Sequence, residues 1–226
     1  SCSDAKFSFP RVLGNLLPLD YVSSLVAKTY DDTTSTSTGI KQQVLDALSP
    51  FQLVSKAWAV YALRCVPIYK PCYYPGSWFG QLAVAVQHVY RQDYARWELP
   101  VSHTLIDLDP ECCAVARSVT DSFLTDGSSV LTLDIHELAP PSEPSVVLWT
   151  GLEHFDLDKV QNWVHNCPIG TIFLCQGTDM PAPDHVSPIS SPERIMSALR
   201  VDPNKVNGKG SLYCSIGTRH QVVFTL

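Results

Sequence analysis

From Pro67 onward the chain alternates short apolar runs with segments whose apolar residues recur every three to four positions. This alternation is the mark of β-α units on a parallel sheet, where each strand is buried on both faces and the chain returns through a helix. It predicts strands at 70–74, 104–108, 130–134, 145–149 and 171–175, with helices at 78–90, 110–123 and 157–166 in the gaps. After 191–199 come strands at 211–215 and 221–225, which 216–220 joins as an antiparallel hairpin.

The first 66 residues read differently. Residues 1–18 are mixed and proline-containing, and an irregular arm is expected there. Helical spacing of Tyr21, Leu25 and Val26 predicts a helix over 20–30, which a Thr/Ser-rich run at 31–38 breaks as a loop. Helices at 39–48 and 50–65 follow, the second with Phe51, Val54, Trp58, Tyr61 and Ala62 on one face, and they are expected to cap the sheet or its mouth. The division is therefore 1–66, an N-terminal arm and helices packed on the sheet, and 67–226, the α/β core.

At 226 residues the chain supports one sizeable core. No stretch of eighteen apolar residues is present, so no membrane partner is expected and a soluble, cytoplasmic protein is. A net charge of −6 denies a nucleic-acid backbone any general attraction, so an RNA partner would need a local basic patch. The eight cysteines form no CxxC pair and fall largely in predicted core elements, which points to free thiols in a reducing compartment. Cys112 and Cys113 are adjacent on a helix, and the seven histidines show no HxH or HxxxH pattern, so no metal site is expected. The chain begins at Ser1 without methionine or a signal pattern, which suggests trimming or release from a larger precursor.

The candidate chemistry sits where predicted strands end. The first strand runs into Tyr74-Pro75-Gly76-Ser77-Trp78-Phe79-Gly80, a turn whose glycines let backbone N–H groups at a helix start approach a polar ligand. The second ends in Asp107-Leu108-Asp109-Pro110, and an acid at that place in a doubly wound fold hydrogen-bonds ribose hydroxyls; Asp109 caps the next helix ahead of Pro110. The third ends at Asp134. The fourth runs into Thr150-Gly151-Leu152-Glu153-His154, where His154 suits a general base and Glu153 could orient it or bind substrate.

The Gly76/Gly80 turn with the Asp107 strand end resembles the class I S-adenosylmethionine (SAM)-dependent methyltransferases over roughly residues 67–226. That resemblance implies a seven-stranded, mostly parallel sheet in the order 3-2-1-4-5-7-6 with the last strand antiparallel. It implies SAM as cofactor, with Gly76, Ser77, Trp78 and Gly80 seating its methionine part, Asp107 its ribose and Asp134 its adenine, Thr150 beside them, and Glu153 with His154 facing the acceptor. A finer resemblance, to small methyltransferase-like proteins of phages and other viruses, rests on Thr150, Glu153-His154, Trp163, Gly170-Thr171, Gln176 and His185. It inclines the acceptor toward RNA, including a viral cap. Tyr74 and Trp78 depart from the family, which usually has an acid and a glycine there. No Asp/Asn-Pro-Pro-aromatic motif is present, and Thr150 holds the acid position of the 2′-O-methyltransferase tetrad, although Lys56 and Lys159 are available elsewhere. The alternatives are a small-molecule methyltransferase, a catalytically degenerate scaffold or cofactor for another protein, and, more distantly, a nicotinamide dehydrogenase.

Overall fold

The computed structural model describes residues 7–30, 38–214 and 216–226. Eight α-helices are found among them: α1 (Phe9–Gly14), α2 (Leu19–Ala27), α3 (Thr38–Ala47), α4 (Pro50–Ala62), α5 (Gln81–Tyr90), α6 (Pro110–Thr120), α7 (Leu157–His165) and α8 (Pro192–Ala198). The strands are β1 (Pro71–Pro75), β2 (Ser102–Asp107), β3 (Ser129–Thr132), β4 (Val146–Trp149), β5 (Ile172–Thr178), β6 (Val206–Cys214) and β7 (Gly217–Thr225). They form one sheet in the order β3-β2-β1-β4-β5-β7-β6, parallel except that β7 runs antiparallel to both β5 and β6, as expected.

Burial explains why the apolar runs were readable. Every residue of β4 and β5 is buried, so β4 and the first four residues of β5 carry continuous apolar sequence with no alternation, and β5 ends in Gln176, Gly177 and Thr178. One cluster, with Val86, Leu105 and Leu174, fills one side of the sheet under α4 and α5; a second, with Trp149, Trp163 and Phe173, fills the other under α7 and α8. Local chemistry sets the helix starts. Asp109 Oδ1 accepts the N–H groups of Glu111 and Cys112 at 2.8 and 3.3 Å, with Pro110 in the first turn, so α6 begins where the sequence indicated.

Several boundaries differ, each for a physical reason. The expected irregular arm contains α1, capped by Ser8 and anchored by buried Val12, while Phe7 stacks on Tyr90 at 5.1 Å. The helix predicted to begin at residue 78 begins at Gln81, because Trp78 and Gly80 adopt positive φ angles of 54° and 76°. A Cβ on Gly80 would lie 2.6 Å from Leu105 Cδ2 and 2.8 Å from Thr120 Cγ2, so this glycine lets α5 close on β2 and α6. The hairpin turn is tighter than predicted, since the ladder runs on to Cys214 opposite Gly217. The loop expected at 31–38 falls outside the described residues except at Thr38, which opens α3. Cys72, Cys112, Cys113, Cys167, Cys175 and Cys214 are free thiols, whereas Cys65 is disulfide-bonded, contrary to the expectation of thiols throughout. No helix among the described residues is long and apolar enough to cross a membrane.

Tyr74, where the family resemblance anticipated an acid, is turned into the core. Its hydroxyl meets His103 Nδ1 at 2.8 Å, and His103 Nε2 lies 3.0 Å from Gln87 Oε1. The amide oxygen can only accept, so Nε2 carries the proton and Nδ1 accepts from the tyrosine. Burial pushes the His103 pKa from 6.5 down to about 3. Between these values the unfolded chain binds a proton that the folded chain refuses, so stability present above pH 6.5 drains as pH falls toward 3. Wild type should lose about 2 kcal/mol more than His103→Asn between pH 7 and pH 5, read from urea midpoints. Equal losses in the two proteins would remove His103 as the source.

Candidate active site

The strand order reverses between β1 and β4, and in open α/β sheets ligands bind in the crevice beyond the carboxyl ends of the strands at such a point. A cleft of about 1040 Å³ opens there. That is the upper end of the range for small-molecule sites and leaves room for a cofactor and a second molecule. Of the residues singled out in the sequence, it brings together Gly76, Trp78, Asp107, Asp134, Thr150, Glu153 and His154. Ser77 and Gly80 lie instead on a small recess behind it, together with Tyr74. Gly80 there serves helix packing, and Ser77 Oγ is buried without a partner.

Asp107, at the end of β2, organises one half of the cleft. Its Oδ2 accepts the Trp78 N–H and its Oδ1 the Asp109 N–H, both at 2.9 Å. One carboxylate thus joins the β1–α5 turn to the β2–α6 turn, and each oxygen keeps a further lone pair. Burial raises its pKa above the ordinary carboxylate value, and the two backbone N–H groups counter that rise. Trp78 does not plug the cleft: its indole Nε1 donates to Gln43 Oε1 on α3 at 3.1 Å, and the ring stacks on Phe79 and forms part of the wall. Gly76, at φ 66°, presents bare backbone opposite, with Phe155 next to it. Asp134 caps a short 3-10 turn by accepting the His136 N–H through Oδ1 at 2.9 Å.

The other half gathers around the turn after β4. Glu153 is 2% exposed, its Oε1 lies 3.7 Å from Arg219 Nη1, and its Oε2 has no hydrogen-bond partner. Arg219, on β7, also donates to the Thr150 carbonyl at 3.0 Å and sits over the Phe51 ring of α4 at 4.9 Å. Glu153 and His154 are adjacent, but Glu153 Oε1 and His154 Nε2 stand 3.9 Å apart, too far for a hydrogen bond; Asp184 is nearer to the ring, 3.2 Å from Nδ1. The backbone carbonyl of Glu153 accepts the N–H groups of Val186 and Ser187 at 2.8 and 3.0 Å. This clamp sets His185 beside His154, with ring centroids 4.8 Å apart.

Three participants were not assigned from sequence. Arg219 carried no signal of its own, being one cation on a terminal strand. Lys56 was noted only as an available lysine, yet it lines the cleft from α4, where burial, reinforced by Arg219 and opposed by Glu153, draws its pKa from 10.5 down to about 7. His185 appeared only in the finer resemblance. Gln176, from the same resemblance, is not at the cleft: it ties the Ser55 carbonyl of α4 to Gln221 of β7 at 3.1 and 2.6 Å. Trp163 likewise packs in the core, donating to the Leu138 carbonyl at 3.0 Å.

No protein-family model matches the sequence, and no curated protein does. Solved structures do match. The N-methyltransferase NodS from Bradyrhizobium japonicum WM9, in complex with S-adenosyl-L-homocysteine (SAH), is similar with a TM-score of 0.59 and 12% identity, over 91% of this chain and 98% of that one. A SAM-dependent methyltransferase from Leishmania major gives 0.57 at 8% identity, over 90% and 82%. An rRNA methylase from Streptococcus thermophilus gives 0.52 at 9% identity, over 75% and 95%. At such identities the likeness is one of architecture, and with the observed strand order it shows that this chain has the class I methyltransferase fold.

Proposed function

We propose that this protein is a SAM-dependent methyltransferase. The observation that carries the reading is Asp107: a carboxylate at the end of β2, on the wall of a large cleft at the sheet's switch point, already locking the glycine turn that faces it. The residues present fit the cofactor. Gly76 keeps a side chain out of the approach to the β1–α5 turn, Trp78 is turned toward α3, and Asp107 retains lone pairs for ribose hydroxyls. Asp134 stands on the same cleft for the adenine amino group. SAM supplies an electrophilic methyl group on a sulfonium, and the work left to the protein is to hold a nucleophile in line and exclude water.

Acceptor handling falls to the Thr150–His154 turn and Lys56. An amine whose pKa lies near 7 suits a group that must take a proton near neutrality, and His154 is half-exposed on the same cleft. Seven acidic side chains line the cleft against Lys56, Lys159 and Arg219. That balance favours a small neutral or cationic acceptor over RNA or a viral cap, whose phosphates it would repel.

Calorimetric titration of the purified chain with SAH tests the reading. One site of micromolar affinity is expected; absence of binding to both SAH and SAM would leave the fold as a scaffold for another protein.

A further inference from the structure

Glu153, His154 and His185 each offer one ligand atom, and these atoms all lie within 4.8 Å of one another. We propose that the three side chains bind one divalent first-row transition-metal ion at the acceptor end of the cleft. The donor set, two imidazoles and a carboxylate with open positions toward the cleft, suits ions of the zinc, iron and cobalt type.

Three observations support the site. The first is the orphaned oxygen: Glu153 Oε2 is buried without a hydrogen-bond partner, an arrangement that costs free energy unless something answers it. The second is how the rings are held. His185 Nδ1 lies 2.6 Å from the Met180 carbonyl, which can only accept, so Nδ1 carries the proton and Nε2 keeps its lone pair. His154 has Asp184 3.2 Å from Nδ1, which leaves its Nε2 toward Glu153. Carbonyl and carboxylate partners on the far nitrogen are the supports that metal-binding histidines use. The third is charge, since the cleft is predominantly acidic and attracts a cation. Bonds of about 2.1 Å in tetrahedral array put ligand atoms roughly 3.4 Å apart, so the widest pair must close by up to about 1.4 Å. His154, whose side chain is 39% exposed, has the room to make that movement.

Such an ion would accept an oxygen of the acceptor molecule at an open position. It would also occupy the lone pair His154 would otherwise offer as a base, leaving Lys56 for the proton. The role toward the acceptor rests on the methyltransferase reading; the ion site itself does not. The metal-stripped full chain should be titrated with Zn²⁺, with Co²⁺ absorption as a second readout, for wild type, His185→Ala and His154→Ala. Circular dichroism and SAH affinity are followed in each. One ion per chain, with affinity reduced about a hundredfold or more in both variants while the fold persists, is expected. No binding by wild type, or binding undiminished in the two variants, would overturn the site. Because SAH binding is read separately, loss of the ion site and failure of the cofactor assignment give different results.

Discussion

Replacing Arg219 with methionine should destabilise the protein by about 3–5 kcal/mol, the cost of leaving a buried charge without its partner. Glu153 and Arg219 have side chains 3% and 5% exposed and stand 3.7 Å apart, so neither can turn to water for compensation. Methionine retains the contact with Phe51 but not the charge or the hydrogen bond to the Thr150 carbonyl. In a chain of this size the loss amounts to a fall of roughly 6–20 °C in melting temperature. The double variant Arg219→Met with Glu153→Gln should recover most of it, because the orphaned charge is then gone. A single variant as stable as wild type in urea unfolding would mean that Glu153 reaches solvent or another cation, and the account of this half of the site would fail.

The second large effect concerns the cofactor. Asp107→Asn should weaken SAH binding about tenfold to a hundredfold, from the loss of a hydrogen bond to a charged acceptor worth roughly 1.5–3 kcal/mol. Asparagine is nearly isosteric but accepts through one oxygen only, so it cannot hold both the Trp78 and Asp109 N–H groups and face ribose as well. Far-ultraviolet dichroism and a thermal melt separate loss of affinity from loss of fold. Unchanged SAH affinity in a folded variant would remove Asp107 from the ribose site while leaving the fold assignment untouched.

The arrangement has a division of labour. The β1–α5 and β2–α6 turns, tied through Asp107, shape one half of the cleft, while the turn after β4, the segment containing Asp184 and His185, α4 and β7 shape the other. The N-terminal helices therefore do more than cover the sheet. Gln43 of α3 positions the Trp78 indole, and Phe51 and Lys56 of α4 form part of the cleft wall.

Much of this was legible in the chain itself, wherever the cause is local. Strand β4 and the first four residues of β5 are buried on both faces and so appear as an unbroken apolar run; Asp109-Pro110 announces the start of α6 through a side-chain cap; Asp107 closes β2 as expected, whereas Asp134, expected to end the third strand, lies two residues beyond β3 and caps a 3-10 turn. The sequence also determined where the β1–α5 turn lies, though not that Trp78 would take a left-handed conformation with its ring against α3. What only the tertiary structure decided are meetings across long stretches of chain. Arg219 reaches Glu153 because β7 lies antiparallel beside β5, bringing Thr178 opposite Arg219. His185 meets His154 because two backbone N–H groups close on the Glu153 carbonyl. Lys56 is stripped of water because α4 packs over the sheet. No local spacing encodes such contacts: they arise from strand order and helix packing, which bring together residues with no periodic relation in sequence.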